Sequence, residues 1–293
     1  MPVPGPRPCP LCDAVDHRPI AKHAAHHLVR CGSCRMVFVG VAPTNEELFA
    51  YYTGYPVHDN VSSVTLRRYN ELLDGFERYR RTNRMIDVGC GAGIFLEEAA
   101  KRGWEVHGTE YGERALVACR SRNIRIIEGA LEPSNYEPEG FDVVCSFEVI
   151  EHVPHPKAEL ERMVSILRPG GALYMTTPNY RSLGHAMVGS GWSVVNYPEH
   201  LNYFTPRTLR RLGVTQGLRA VRVLTTGVSL MRLRFRHTDG SKGQAAAMVS
   251  QEDLRHRLEV NPFLRFAKWS INAVLNVTGL GDSMKGTFVK GAR

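Results

Sequence analysis

Apolar positions along this chain fall into short runs that alternate with stretches of helical spacing. Met85-Ile86-Asp87-Val88 has the length of a buried parallel strand. Ile94 to Arg102 carries Ile94, Leu96, Ala99 and Ala100 at helical spacing and stops at Gly103, a C-terminal cap. Trp104 to Thr109 alternates as a second strand ending on Glu110. The alternation continues with a helix over Gly112–Arg122, strands over Ile124–Ile127 and Phe141–Ser146, a helix over Lys157–Leu167 and a strand over Ala172–Thr176. Upstream, Val61 to Arg80 reads as an amphipathic helix built on Val64, Leu66, Tyr69, Leu72, Leu73 and Phe76. Downstream, Arg219–Leu230 and Ser283–Lys290 read as the last two strands. Strands alternating with helices predict an α/β fold with a parallel sheet.

The first strand and helix are joined by Gly89-Cys90-Gly91-Ala92-Gly93, three glycines at alternate positions. Such a turn lets a ligand approach backbone where a Cβ would collide. Glu110, at the tip of the next strand, can accept hydrogen bonds from both hydroxyls of a ribose. A phosphate-cradling loop would end in Gly-Lys-Ser/Thr, and no lysine is present. A dinucleotide fingerprint has its third glycine one place later, where this chain has Ile94. A purely structural turn is the plain alternative.

Three further groups carry candidate chemistry. Cys9-Pro-Leu-Cys12 and Cys31-Gly-Ser-Cys34 are two Cys-x-x-Cys pairs, the spacing of a closed tetrahedral zinc site on Cys9, Cys12, Cys31 and Cys34. His17, His23, His26 and His27 between the pairs read as strand or loop residues. The apolar Met36-Val37-Phe38-Val39 that follows should pack on something, and Thr44-Asn45-Glu46-Glu47 is a capping box opening a helix over Tyr51 and Tyr52. At the tip of the fourth strand stands Phe147-Glu148-Val149-Ile150-Glu151-His152, where open α/β sheets bind ligands. The long loop over Thr177–Thr205 contains Tyr197-Pro198-Glu199-His200. A Glu-His pair facing an acceptor suits proton abstraction, because imidazole titrates near neutrality. The alternative is that these residues fasten the loop through hydrogen bonds.

Composition narrows the class. The chain has 293 residues, 43% of them hydrophobic and 23% charged, ordinary for a globular protein with room for one α/β domain and a smaller unit. No apolar run is long enough to span a bilayer and the N-terminus lacks a signal-peptide core, which predicts a cytoplasmic protein. Seven cysteines do not indicate disulfides in that compartment. The formal charge is +8, but the basic residues from Arg207 to Arg236 are interleaved with apolar ones, so nucleic acid is not favoured as a partner.

The alternate-glycine turn with Asp87 ahead of it resembles motif I of class I S-adenosylmethionine-dependent methyltransferases. Together with Phe147–Val153 and Leu167-Arg168-Pro169-Gly170-Gly171, the match runs in order from Ile86 to about Leu230. The resemblance implies a Rossmann-like seven-stranded sheet closed by an antiparallel strand. It implies cofactor contacts at Asp87, Gly89, Cys90, Gly91, Gly93, Glu110, Tyr111, Ala130, Leu131 and Phe147. Ala130 departs from the pattern, where an aspartate usually holds the adenine amino group. The Glu-x-x-Glu-His string is similar to that of ubiquinone-biosynthesis-type methyltransferases. In those, similar residues can hold Mg²⁺; for Glu148, Glu151 and His152 a cleft-lining role is preferred.

The zinc segment is similar to the zinc-binding domain ahead of some small-molecule methyltransferases, in which such a segment leans over the cleft. That similarity puts Tyr55 near the ligand. Tyr-x-Glu-His resembles the catalytic string of deoxysugar C-methyltransferases, implying roles for Tyr197, Glu199 and His200, with His152 beside them. The implied layout is a zinc-ribbon-like segment over 1–58 and a methyltransferase domain over 59–293, with a helical insertion at 236–282. Within the insertion, Ala245–Leu258 and Asn261–Thr278 read as helices, the second packing on the core, forming a homodimer face or lying on a lipid surface. The expected activity is methylation of carbon or oxygen on a sugar or other hydroxylated intermediate; the alternative is an RNA methyltransferase with a zinc module.

Overall fold

The computed structural model describes residues 7–41, 43–44, 46–48, 51, 61–227 and 262–291. The expectations placed on Tyr52, Tyr55 and a helix over 245–258 lie outside the described residues. Seven strands form the main sheet: β4 (Arg84–Val88), β5 (Glu105–Glu110), β6 (Arg125–Glu128), β7 (Phe141–Phe147), β8 (Leu167–Pro178), β10 (Leu218–Thr226) and β11 (Ser283–Lys290). Their order is β10-β11-β8-β7-β4-β5-β6, parallel except for β11, which runs antiparallel to both neighbours. This is the Rossmann-like methyltransferase sheet expected from the motifs.

Helices cover both faces. The alternation along β4 sends Met85 to one face and Ile86 and Val88 to the other. Met85 packs with Leu73 and Phe76 of α1 (Ser63–Phe76), Leu96 of α2 (Ile94–Lys101) and Cys119 of α3 (Glu113–Ser121). Ile86 and Val88 pack with Leu160 and Met163 of α4 (Pro156–Ile166) and Leu209 of α6 (Pro206–Thr215). Thr205 and Thr208 form the capping box of α6, with Pro206 at its first turn.

Two expectations need correction. The fifth strand of the core begins at Leu167 rather than Ala172: Leu167 pairs with Phe141 and Ala172 with Val143, so Arg168-Pro169-Gly170-Gly171 is a bulge within the strand rather than a turn before it. The reason is Asp142, fully buried, whose Oδ1 accepts from Arg168 Nε at 2.5 Å and holds that segment against the sheet. The stretch from Thr177 to Thr205 is also not an irregular loop. It contains α5 (Leu183–Val188) and β9 (Asn202–Tyr203).

β9 completes a second, antiparallel sheet with β1 (His17–Pro19), β2 (Leu28–Cys31) and β3 (Val37–Val39), in the order β1-β2-β3-β9. Val37 pairs with Tyr203 and Phe38 with Asn202. The apolar run at 36–39 thus finds its partner in a strand more than 160 residues away, and Leu28, Val37, Val39, Trp192, Val195 and Tyr203 share one core. Buried Arg7 donates to Asn202 Oδ1 at 3.1 Å, and Asn202 Nδ2 donates to the carbonyls of Ile150 and Val153. The cysteine segment is thereby fastened to the turn that follows β7.

The apolar stretch near the end forms α7 (Pro262–Thr278). Core packing, one of its three readings, holds among the described side chains at Leu275; Phe266, Trp269, Val274 and Val277 are exposed. The helix is anchored by polar contacts, Thr225 N with Asn276 Oδ1 at 3.2 Å and Gly227 N with Asn272 Oδ1 at 2.9 Å. No described helix is long and apolar enough to cross a membrane.

Candidate active site

Strand order reverses between β4 and β7, and the carboxyl ends of these two parallel strands lie side by side at one edge of the sheet, where open α/β sheets bind ligands. From β4 comes the glycine turn, with φ of 74° at Gly89, 52° at Gly91 and 75° at Gly93. These are left-handed values that only glycine adopts freely. A Cβ at Gly93 would stand 2.4 Å from Ile124 Cδ1, whereas one at Gly91 would meet nothing within 4 Å. Gly93 is favoured by its left-handed backbone and by the side chains packed against it, and Gly91 borders the open side of the turn. Glu110 grips the turn: its Oε2 accepts from Gly91 N at 2.8 Å and its Oε1 from Tyr111 N at 2.8 Å. Asp87 is 2% exposed, and its Oδ1 has no hydrogen-bond partner among the described residues. Burial first, then the charge of Glu110, pushes the Asp87 carboxyl well above its ordinary value.

These features fit a nucleoside cofactor: a turn open at Gly91, an acid at the tip of β5 and a buried carboxylate oxygen lacking a donor. Phe147, at the end of β7, stacks edge-on against Phe95 at 4.9 Å. Ala130 is half-buried, Leu131 lies wholly in the core and the Tyr111 side chain is 69% exposed.

The β7 end and the loop carrying β9 supply the other wall. His152 Nδ1 donates to Glu199 O at 2.9 Å and His200 Nδ1 to Val194 O at 2.7 Å. The two imidazoles meet edge to face at 4.6 Å. Glu199 Oε2 accepts from Asn196 Nδ2 at 2.6 Å and from Tyr51 Oη at 2.7 Å. Burial first, then the charge of His200, lowers the His152 pKa to about 4, so its ring is neutral at pH 7.

Of the four residues read as catalytic, His152, Glu199 and His200 are brought together. Tyr197 lies at a cis bond to Pro198, its ring against His27 at 5.3 Å and its hydroxyl 3.5 Å from Glu47. Two members of the cluster, Tyr51 and Asn196, were not read as site residues. Asn196 stands three residues before Glu199, a local spacing that could have flagged it; nothing local links Tyr51 to a residue 148 positions away.

Glu151 is 2% exposed with neither carboxylate oxygen hydrogen-bonded among the described residues, and burial, then Glu148, raises its pKa well above the ordinary value. Its potential ligand atom and those of His152 and His200 lie within 4.8 Å of one another. Glu148, part of the magnesium reading, is exposed and outside this group. Two imidazoles and one carboxylate match magnesium poorly, since that ion prefers oxygen ligands.

The four N-terminal cysteines also converge. Cys9 and Cys34 sulfurs are 3.4 Å apart and Cys12 and Cys31 sulfurs 3.5 Å, close to the roughly 3.8 Å that tetrahedral 2.3 Å zinc–sulfur bonds require. Cys34 N also donates to Cys31 Sγ, the backbone-to-sulfur bond of a tight knuckle.

A seven-stranded α/β sheet with a glycine turn and an acid at its switch point defines the class I methyltransferase architecture. The chain belongs to the methyltransferase domain family, whose model matches residues 63–223, more than half of the chain. It is similar to the ubiquinone biosynthesis O-methyltransferase of Aeromonas salmonicida, 31% identical over 150 residues, covering 46% of this chain and 62% of that protein. The protein of the same description from Idiomarina loihiensis is 32% identical over 143 residues, covering 44% of this chain and 58% of that protein. The chain thus spans about three fifths of the length of these curated relatives. A solved S-adenosylmethionine-dependent methyltransferase from Archaeoglobus fulgidus shares the fold, with a TM-score of 0.54 at 17% identity, covering 84% of this chain and 100% of that one.

Proposed function

We propose that the protein methylates a small hydroxylated acceptor, a sugar or other biosynthetic intermediate, at oxygen or carbon. The observation that carries this reading is the pairing of His152 and His200 beside Glu199, across the switch point from the glycine turn. S-adenosylmethionine would supply an electrophilic methyl on its sulfonium. Gly89, Cys90, Gly91 and Gly93 would present the turn to it, Glu110 would accept from its ribose, and Asp87 would place its buried carboxyl beneath it. Tyr111, Ala130 and Phe147 would border the base and methionine portions, with Leu131, wholly in the core, behind them. His200 removes the acceptor proton as its nucleophile advances; its Nδ1–H is fixed on Val194 O and its ring rests against neutral His152, which the Glu199 carbonyl holds, while Tyr197 stands outside this group beside His27 and Glu47. The relatives described as O-methyltransferases support oxygen as the methylated atom.

The same reading assigns a structural zinc to Cys9, Cys12, Cys31 and Cys34 and treats residues 1–58 as a unit attached to the catalytic domain over 59–293. The outward apolar row of α7 supports a homodimer, which sedimentation at micromolar concentration checks. The decisive experiment compares His200→Ala with the wild type by release of S-adenosylhomocysteine over a panel of hydroxylated acceptors. Turnover should fall about 10²–10⁴-fold, as for a positioned general base, with cofactor affinity unchanged. Unchanged turnover with a raised KM would instead make the residue a loop fastener.

A further inference from the structure

Three cysteines lie outside the zinc segment, and two of them meet under the glycine turn. Cys90 sits between Gly89 and Gly91 and is half-buried, whereas Cys119, near the end of α3, is fully buried. Their sulfurs are 3.7 Å apart, and both lie near one carbonyl, that of Gly91, at 3.8 Å from Cys90 and 3.3 Å from Cys119. We propose that Cys90 and Cys119 form an oxidisable thiol pair, a modification site in which peroxide closes a disulfide beneath the cofactor turn and weakens cofactor binding. The clause on binding rests on the proposed role of this turn.

The chemistry balances with hydrogen peroxide as the oxidant. Cys90, the more accessible sulfur, takes one oxygen from peroxide to become a sulfenic acid, and one water leaves. The Cys119 sulfur then attacks the Cys90 sulfur, the S–O bond breaks and a second water departs. Two thiols and one peroxide give one disulfide and two waters, the two electrons passing from sulfur to peroxide oxygen.

Geometry indicates which side yields. A disulfide requires the sulfurs to approach to about 2.05 Å. On the α3 side Cys119 is wholly buried in the core it shares with Met85, Leu96 and Ile124, which holds it in place. The turn is open at Gly91, so closure draws Cys90 and its neighbours towards α3. That motion pulls Gly91 N off its 2.8 Å bond to Glu110 Oε2, the bond that joins the turn to the acid at the tip of β5. Bound cofactor would oppose the motion and protect the pair.

The test treats the full-length protein with hydrogen peroxide and maps disulfides by non-reducing peptide mass spectrometry, with S-adenosylhomocysteine binding measured by calorimetry. The expected result is a peptide cross-linked through Cys90 and Cys119 and a loss of affinity of about tenfold or more, reversed by dithiothreitol. Cys119→Ser should bind normally when reduced and be insensitive to peroxide. Because the zinc-segment thiols can also oxidise, released zinc is followed in the same samples. No cross-link, a cross-link without loss of affinity, or a loss that follows zinc release and persists in Cys119→Ser would each overturn the proposal. Should Cys119→Ser not fold, the wild-type peptide map and its reversal by dithiothreitol decide. If the reduced protein binds no S-adenosylhomocysteine, the cofactor assignment of the turn fails, while the peptide map still reports on the pair.

Discussion

His152 gives the most quantitative prediction. Its side chain is 17% exposed, donates Nδ1–H to the Glu199 carbonyl and faces the His200 ring, and its pKa falls from 6.5 to about 4. The unfolded chain therefore takes up this proton before the folded one does. The residue's contribution to stability is intact above about pH 6.5, is lost as pH falls from there towards 4, and changes no further below that. The gap converts to a ceiling of about 3.4 kcal/mol, of which about 2 kcal/mol is lost between pH 7.5 and pH 5. The perturbation is His152→Gln, which keeps an N–H donor but does not titrate. Urea unfolding of both proteins at half-unit pH steps, followed by two probes to check the two-state assumption, gives the difference in stability as a function of pH. All other groups titrate in both proteins, so they largely cancel. The wild type should lose about 2 kcal/mol more than the variant on acidification. A difference that stays flat within about 0.5 kcal/mol would refute the inference that the ring is held neutral by burial.

Glu110→Ala should weaken S-adenosylhomocysteine binding by about 1.5–3 kcal/mol in calorimetry through loss of charge-assisted hydrogen bonds. Elemental analysis should find close to one zinc per chain. Chelation should raise hydrogen exchange in β1–β3 before the main sheet melts, and a metal-free, fully folded preparation would refute the site. Asp142 should behave as a structural anchor: burial raises its pKa but is outweighed by Arg168 and by the N–H groups of Arg81 and Asn83, leaving the carboxyl below its ordinary value. Asp142→Ala should cost about 3–5 kcal/mol in urea unfolding by stranding Arg168, and the wild type should lose part of this stability as pH drops through the folded pKa of Asp142.

Much of the proposed cofactor wall is local information. Met85–Val88, the glycines at 89, 91 and 93 and Glu110 lie within one βαβ unit, where side-chain period, the left-handed backbone at glycine and the strand tip are all readable from neighbours in sequence. The cysteine pairs are readable for the same reason, since each knuckle is four residues long. The opposite wall is different. Glu199 and His200 stand out by residue type, but their setting depends on Tyr51 arriving from the N-terminal segment and on β9 pairing with β3. The start of β8 depends likewise on Asp142 reaching Arg168 across 26 residues. Exposure of α7 is a third case: its apolar composition alone suits a buried helix, and only the assembled sheet shows that Leu275 is buried while Phe266, Trp269, Val274 and Val277 face outward. Local patterns encode conformations that one segment adopts with its own neighbours. The partners that decide burial, register and hydrogen bonding around Glu199 and His200 meet only after long loops have closed, and periodicity carries no record of which segments those will be.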